Sequence, residues 1–447
     1  MDKIEKTIAA IDIGTTKIAT VVAQRKNEKF DILSFGTAQS TGIKHGVVQS
    51  IDETVKAITA SINQLGNYYD ANFSEVYVGI AGQYVSTADT TCRIFVGGKV
   101  SERHLAELKD MAMNVVTPGS ESIDAIPLSY AIGGNVVENP VGMQCDHLFG
   151  NFHVISGQTT MVNNIKKCVN LAGLDVKSIF LEPLASAEAV LTEEEKQKGV
   201  VLVDIGGGTT DLAIYRDGKL VHTAVISIGG TTITGDIKNK FAMTYEQAEN
   251  MKCLYGSAVH ISGADVNIEV KTARVNSNLY ISRNEMSEVI QSRMEELLNT
   301  VKFQIEVIFP DAIPAGIVMT GGGSLMANLN QLASFILKNS IRMAYPVANI
   351  EGRFANSLGK PQYSTVTGLI MKGYDFELGI RGDELIPQAS ESEPEVEPEP
   401  ISEPEPEPAP VSEPKPESKV EPDPKKDTKK KSRFKFKDIL NILEDDE

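Results

Sequence analysis

The sequence is poor in cysteine, and its four, Cys92, Cys145, Cys168 and Cys253, are scattered with no C-x-x-C pair. That excludes the dense disulfide framework on which small secreted domains depend, and it fits a reducing, cytosolic compartment. No stretch approaches the roughly 20 apolar residues of a membrane-spanning helix. The N-terminal MDKIEKTIAAIDIG moves straight into a strand pattern and carries no signal-like apolar run. The chain is therefore expected to be soluble, or attached to one membrane face. There is no P-loop: the nearest approach, Gly97-Gly98-Lys99-Val100, lacks the Ser or Thr needed after the lysine. A Rossmann glycine motif has to open a helix, whereas strand-like LAIY follows the glycines at 206–208. A formal net charge of -17 disfavours nucleic-acid binding through the body.

What is present is a chain of 447 residues with 41% hydrophobic content, enough for two or three domains with sizeable cores. From Met1 to about Asp383, apolar strand-like segments alternate with helical patterns, as in an α/β protein. After Pro387 the text changes to ESEPEVEPEPISEPEPEPAPVSEPKPESKVEPDP, which has almost nothing to bury. Proline removes backbone donors and the glutamates repel, so residues 386–432 are expected to be a disordered Glu/Pro linker ending in a basic block. In polyproline geometry the Glu-Pro tract would reach on the order of 100 Å.

The first chemical signal is AAIDIGTTKIA, in which a strand ends at Asp12, turns through Gly14, Thr15 and Thr16, and resumes after Lys17. Glycine lets backbone approach an anion, the turn amides and threonine hydroxyls donate to phosphate oxygens, and lysine supplies charge. One such turn is most often just a hairpin. GVVLVDIGGGTTDLAIY, however, repeats the grammar: strand, Asp204, Gly206, Gly207, Gly208, Thr209, Thr210, then Asp211 and a second strand. Two like hairpins facing each other would clamp a polyphosphate, with Asp12 and Asp211 holding Mg2+ through its waters. A third element, GIVMTGGGSLM, runs a strand into Gly321, Gly322 and Gly323, where bare backbone could lie against an adenine ring.

This order of motifs resembles the actin, Hsp70 and sugar-kinase superfamily, which implies a two-lobed α/β ATPase fold and ATP as ligand. Within it the chain resembles the FtsA family through VYVGIAGQYV, IPLSYAIGG, NPVGM, FHVIS and FLEPLASAEAVL. The resemblance places Glu182 where the family orients an attacking water, although a helix-capping carboxylate is the plain alternative. It places Glu249 and Lys252 of TYEQAENMK against ribose and adenine; at i, i+3 they share a helix face, and a solvated surface pair is the alternative. It also implies subdomain 1A from residues 1–83, 162–200 and 365–385, an inserted subdomain 1C at 84–161, 2A from 201–240 and 310–364, and 2B at 241–309. The last of these ends in a helix with a Ser282-to-Glu285 capping box and apolar Met286, Val289, Ile290, Leu297, Leu298, Val301 and Ile305. In the family, 2B receives the C-terminal peptide of the tubulin-like ring protein FtsZ, and 1C contacts other divisome proteins.

The end of the chain completes the expectation. Lysines 425, 426, 429, 430 and 431, with Arg433, form a basic cluster that runs into a short amphipathic helix at 433–443, with Phe434, Phe436, Ile439, Leu440 and Leu443 as its apolar contacts and Lys435 and Lys437 beside them. Each buried large apolar side chain contributes about 1.5 to 3 kcal/mol, and each lysine near an anionic leaflet about 1 kcal/mol. Together these suffice for reversible attachment to an anionic membrane surface. The resemblance therefore implies a scaffold and not an enzyme. ATP favours self-association into a filament, any hydrolysis is slow, and the filament ties the FtsZ ring to the cytoplasmic face of the inner membrane at the septum. The rivals are a PilM-like pilus adaptor and a small-molecule kinase of the same superfamily; neither is expected to need this tail. The six histidines form no H-E-x-x-H pair, so no metal beyond magnesium is expected.

Overall fold

Strands covered on both faces read as continuous apolar runs, and VVLVDI at Val200–Ile205 is buried at every position. In the computed structural model of the chain, the described residues are 6–66, 73–115, 118–260, 265–271, 278–310, 312–378, 380–381 and 384–385. They fall within one unit spanning residues 1–388. The fold is the two-lobed actin/Hsp70-like α/β architecture, and its duplication is visible in the strand order.

The first lobe's sheet runs Asp175–Leu181, Glu75–Ile80, Thr7–Ile13, Lys17–Lys26, Lys29–Gln39, Ile350–Glu351. The second lobe's sheet runs Ile341–Met343, Ile317–Thr320, Val200–Ile205, Thr210–Arg216, Lys219–Ile226. In each, three consecutive strands form an antiparallel meander, and the first of them is flanked on its other side by two parallel strands. Both sheets therefore present the turn after their first strand at the same end. The edge strand Ile350–Glu351 pairs with Phe30–Asp31, and Ile350 and Leu358 pack into the first lobe's core, so this part of the expected 310–364 segment of 2A belongs to the first lobe.

Residues 85–158 build a separate four-stranded antiparallel sheet in the order Val85–Lys99, Gln144–Gln158, Ser120–Ile132, Asn135–Val137. Helix Glu102–Met113 covers one face through Leu105, Leu108 and Ala112, with Phe152 and Leu148 beneath it. In the second lobe, helix Arg283–Glu306 buries Met286, Ile290, Met294, Leu297, Leu298, Val301 and Ile305, while Val289 is partly covered. Ser282 caps it by accepting from the Glu285 N–H at 3.0 Å. These side chains share one continuous core with Val203, Ile205 and Leu212 of the sheet, so the helical part is packed directly on the sheet.

Two helices join the lobes, Glu182–Val190 on the way out and Ser364–Glu377 on the way back. No helix among the described residues is long and apolar enough to cross a membrane. The Glu/Pro linker, the basic block and the helix expected at 433–443, with Phe434, Lys435, Phe436, Lys437, Ile439, Leu440 and Leu443, lie outside the described residues.

Candidate functional site

In the first hairpin Asp12 pairs with Ala19 and Ile13 with Ile18, leaving a turn of residues 14–17. In the second, Asp204 pairs with Asp211 and Ile205 with Thr210, leaving a turn of residues 206–209. The turns are of equal length and they touch. A Cβ added at Gly207 would stand 2.5 Å from Thr16 Cγ2, and one at Gly208 would stand 2.3 Å from Thr15 Oγ1. Each threonine of one turn thus occupies the space that a missing side chain leaves in the other. Thr15 Oγ1 also accepts from the Gly46 N–H at 3.0 Å, and His45 Nδ1 lies 2.9 Å from the Gly208 carbonyl, so the segment at 45–46 latches the two turns together. Helix Gly230–Phe241 braces the second turn, its Gly230 and Thr231 N–H groups donating to the carbonyls of Gly206 and Gly207 at 3.0 and 2.8 Å.

The turns stand at the floor of a cavity of about 580 Å³ between the lobes, a size that suits a ligand such as a nucleotide. Its floor is acidic: Asp12, Glu182, Asp204 and Asp211 all line it. Asp204 is pushed up to about 6, first by burial and then by Asp12, against the opposing hydrogen bond donated by Ser186 at 2.5 Å. Asp211 is pushed up to about 8 by burial and the neighbouring Asp204 and Asp12, although Thr209 Oγ1 donates to it at 3.0 Å. Burial, then Asp12, Asp211 and Asp204, hold Glu182 well above the ordinary carboxylate range. Lys17 faces this group, its Nζ 3.0 Å from Asp12 Oδ2 and 5.0 Å from the Tyr363 ring. Asp211 Oδ1 is buried with no hydrogen-bond partner. A cluster of four carboxyls beside one ammonium is short of positive charge, and that is the condition a bound cation relieves.

Farther up the cavity, Glu249 and Lys252 pair at 2.8 Å. The Lys252 ammonium also donates to the Gly230 carbonyl at 3.0 Å and Thr234 Oγ1 at 2.9 Å. Burial would raise Glu249, but the adjacent Lys252 prevails and holds it below its usual value. Gly321, Gly322 and Gly323 line the opposite wall. Gly321 has a φ of 85°, and a Cβ there would lie 2.2 Å from Asp204 Oδ1; a Cβ at Gly323 would lie 2.4 Å from Ile205 Cγ2. Their bareness thus serves the packing of this loop on the strand that carries Asp204. Gly322 alone of the three has ordinary space around it, with Gln362 Cβ at 3.5 Å.

Asp12, Gly14, Thr15, Thr16, Lys17, Glu182, Gly206, Gly207, Gly208, Thr209, Asp211, Glu249, Lys252 and Gly321–Gly323 therefore share one cavity. Thr210 does not: it is fully buried and its hydroxyl donates to the Ile228 carbonyl at 2.8 Å, because it lies one residue past the turn, where alternation points it away. Sequence reasoning missed Arg283, Gln362 and Thr365, which line the cavity from loops and helix starts that carry no nucleotide motif, and gave no role to Met326, which closes the glycine-rich GIVMTGGGSLM segment and also lines it. It also left Asp204 without a role, although its place mirrors that of Asp12.

Curated relatives match over most of their length. The cell division protein FtsA of Neisseria meningitidis serogroup B is 32% identical over 83% of this chain and 91% of its own. That of Pseudomonas aeruginosa is 34% identical over 82% and 89%, and that of Bacillus subtilis 31% identical over 81% and 82%. The chain belongs to the FtsA family. The family model for cell division protein FtsA matches residues 201–368, and one for type IV pilus assembly protein PilM matches residues 10–257. The likeness to PilM extends to the fold. A PilM–PilN type IV pilus biogenesis complex superposes with a TM-score of 0.63 over 83% of this chain and 99% of that one, at 17% identity. MreB5 of Spiroplasma citri, in a structure bound to ADP, gives 0.52 over 84% and 98%, at 15% identity. This FtsA chain is thus a cell-division protein on the actin-like fold.

Proposed function

We propose that this FtsA-family protein binds ATP with Mg2+ in the cleft between its lobes, polymerises with copies of itself, and links the FtsZ ring to the cytoplasmic face of the cell membrane at the septum, helping to recruit later divisome proteins. The observation that carries the nucleotide part is the direct contact of the two turns, Thr15 on Gly208 and Thr16 on Gly207, at the floor of the cavity. Turns in that position surround a polyphosphate with backbone N–H groups and hydroxyls from both lobes at once, so a bound triphosphate ties the lobes together. The neighbouring MreB5 has been seen with ADP and with AMPPNP on the same fold, which supports the choice of ligand.

The residues suit magnesium held through water. Asp12 and Asp211 would hold it, the unpartnered Asp211 Oδ1 being its clearest acceptor, and among the described residues no group of three or more His, Cys, Asp or Glu is arranged to chelate a metal directly. When bound, the ion supplies charge neutralisation between the phosphates and this acidic floor. Glu249 and Lys252 hold the sugar and base end, and Gly322 leaves room for the ring. Glu182 lines the same floor, where burial and the neighbouring Asp12, Asp211 and Asp204 hold its carboxyl well above the ordinary range in the empty cleft, and it is the residue placed to orient a water. Hydrolysis is at most slow, and ATP acts chiefly as the clamp that favours assembly. Attachment to anionic lipid rests on the sequence of the terminal segment, with Phe434, Phe436, Ile439, Leu440 and Leu443 entering the interface and Lys435 and Lys437 at its surface.

Sedimentation with anionic liposomes tests the whole reading, using the full chain and a version ending at Lys431, each with and without Mg-ATP and FtsZ. The full chain is expected to carry FtsZ down with the liposomes, while the shorter one still binds ATP and FtsZ but stays in solution. Lipid binding unaffected by the truncation refutes the tether. Calorimetry that finds no adenine nucleotide uptake in magnesium refutes the clamp.

A further inference from the structure

Among the described residues that line the cavity, Asp211 and Gln362 each hold a buried oxygen with no hydrogen-bond donor, Asp211 Oδ1 and Gln362 Oε1. A buried acceptor left unpaired is unfavourable, and native proteins keep few of them. The acidic floor's need for a cation accounts for Asp211 Oδ1. Gln362 has no such part in the floor. Its backbone is nevertheless fixed on both sides. The Pro361 carbonyl accepts from the Gly321 N–H at 3.3 Å, and Ser364 Oγ lies 2.6 Å from Thr320 Oγ1. The Tyr363 ring meets Phe35 edge-on at 5.0 Å and stands 5.0 Å from Lys17 Nζ. Gln362 Cβ itself rests against Gly322, 3.5 Å from where a Cβ on that glycine would stand.

The chemistry of a lone acceptor decides what it can serve. Ionised phosphates offer acceptors only, so a carbonyl oxygen gains nothing from that end of a nucleotide. The donors of ATP are the exocyclic amine of adenine and the two ribose hydroxyls, and the amine lies on the edge of the ring remote from the sugar. Gln362 stands between Lys17, at the phosphate floor, and Gly322, on the wall given to the base. The part of a nucleotide that lies between its phosphates and its base is the sugar. On the opposite wall, both oxygens of Glu249 already accept from the protein, one from Lys252 and Thr234 and the other from Cys253. Gln362 Oε1 is unshared, and it is already shielded from solvent, so a hydroxyl that reaches it gains a hydrogen bond with little further desolvation of that oxygen.

We propose that Gln362 is a specificity-determining residue of the cleft, its Oε1 accepting a hydrogen bond from a ribose hydroxyl, so that ribonucleotides are taken in preference to deoxyribonucleotides. This rests on the nucleotide reading of the cleft and adds to it the sugar that the cleft selects. A site that bonds a hydroxyl discriminates against the analogue lacking it, because the site's own polar group then stays unpaired in the complex.

Calorimetry on the full chain in magnesium tests it, with ATP, 2′-deoxy-ATP, 3′-deoxy-ATP and purine riboside triphosphate, which lacks the exocyclic amine. The parent is compared with Gln362→Met, a side chain of similar length and shape without the amide. The parent is expected to bind at least one deoxy analogue about tenfold more weakly than ATP. Gln362→Met should bind ATP about as weakly as the parent binds that analogue, so that its own preference for ATP over the analogue falls to near one. The urea midpoint of the nucleotide-free variant should equal or exceed the parent's, because the oxygen removed had no partner. A preference for ATP over both deoxy analogues that is the same in the two proteins overturns the proposal. So does a loss in the parent that appears with purine riboside triphosphate instead, which would move the bond to the base, and so does a clearly lower midpoint for Gln362→Met, which would show the amide bonded in the empty cleft. A parent that takes up none of these nucleotides refutes the nucleotide reading itself, whereas ATP uptake with an unaltered sugar preference refutes the role of Gln362 alone.

Discussion

Replacing Gly368 with alanine adds a single methyl group where the two connecting helices cross. A Cβ on Gly368 would lie 1.7 Å from the Ala185 carbonyl oxygen and 2.3 Å from its carbon, backbone atoms that cannot rotate away. Non-bonded heavy atoms settle at about 3.5 Å, so helices Glu182–Val190 and Ser364–Glu377 have to part by about 1.5 Å or more. Such overpacking costs about 1 to 3 kcal/mol, which a fold of ordinary stability survives. The separation has a functional consequence because both helices reach the cleft floor: Ser186 donates to Asp204 at 2.5 Å and lies 3.1 Å from Thr365 Oγ1. A shift of that size breaks the Ser186–Asp204 bond, and a hydrogen bond to a charged group is worth about 1.5 to 3 kcal/mol. Gly368→Ala is therefore expected to lower the urea midpoint and to weaken Mg-ATP binding about tenfold or more by calorimetry. Gly235→Ala supplies the control, since Gly235 lies within helix Gly230–Phe241 with nothing within 4 Å of an added Cβ; it should stabilise the protein by about 0.5 to 1 kcal/mol through helix propensity. A Gly368→Ala protein as stable as its parent, with unchanged ATP affinity, refutes the idea that this crossing sets the cleft.

The acidic floor makes stability depend on pH in a defined direction. Asp204 and Asp211 have folded pKa values raised to about 6 and about 8, so their contribution is fully present below the ordinary carboxylate pKa near 4 and is lost as pH rises toward 8; urea midpoints of the nucleotide-free, magnesium-free protein should fall across that window, and saturating Mg-ATP should flatten the fall. Asp211→Asn removes one titrating group, and is expected to raise the nucleotide-free midpoint at pH 8 while weakening Mg-ATP binding in calorimetry. Gly208→Ala drives a methyl into Thr15 Oγ1, 2.3 Å away, and His45 Cα, 2.9 Å away, so it should destabilise by about 1 to 3 kcal/mol in a denaturant melt and lower ATP affinity; a Thr15→Ser change should leave both nearly unaltered. Lys252→Ala strips Glu249 of its cation, and a midpoint drop that shrinks when Glu249→Gln is added would show that the unpaired carboxylate carries the loss.

The hairpins are legible in the sequence because they are local: two strands and a turn lie within a dozen residues, and the glycines and threonines that make the turn are the same ones that face the cavity. The long helix at Arg283–Glu306 is equally plain, since its apolar spacing is set by the core it covers. Contacts made across long separations leave no such trace. Nothing in SAEAV suggests that Ser186 meets Asp204, and nothing near the helix start at Ser364 suggests that Thr365 joins them. Gly321 and Gly323 look like a ligand-facing run, yet both are pressed on the Asp204–Ile205 backbone; composition alone does not distinguish close packing from an open wall. The short strand Ile350–Glu351 has two residues and no periodicity, so only its pairing with Phe30–Asp31 assigns it to the first lobe.

The likeness of the two lobes extends to the manner of their contact, and the departures from likeness mark the polarity of the site. Turn for turn, Gly14, Thr15, Thr16 and Lys17 correspond to Gly206, Gly207, Gly208 and Thr209, each turn closed by the same pairing of flanking residues. Exchanging the lobes maps the Thr15–Gly208 contact onto the Thr16–Gly207 contact, as an approximate two-fold between the hairpins requires. The bulk, however, stands all on one side: threonines in the first turn, bare backbone in the second. Charge is divided the same way. The first hairpin carries the cation Lys17 and neutral Ala19, while the second carries Thr209 and the acid Asp211 at those places. A symmetric pair of turns would bind a symmetric anion in either direction; one lysine against one extra carboxylate gives the cleft a direction, with Lys17 on the side of phosphate charge and Asp211 on the side where a cation is wanted. Converting Asp211 to Ala would remove the carboxylate half of that difference, together with the hydrogen bond that Thr209 donates to it, while Lys17 would still mark the phosphate side; Mg2+ dependence of nucleotide binding, read by calorimetry, should therefore weaken more than binding of the magnesium-free nucleotide.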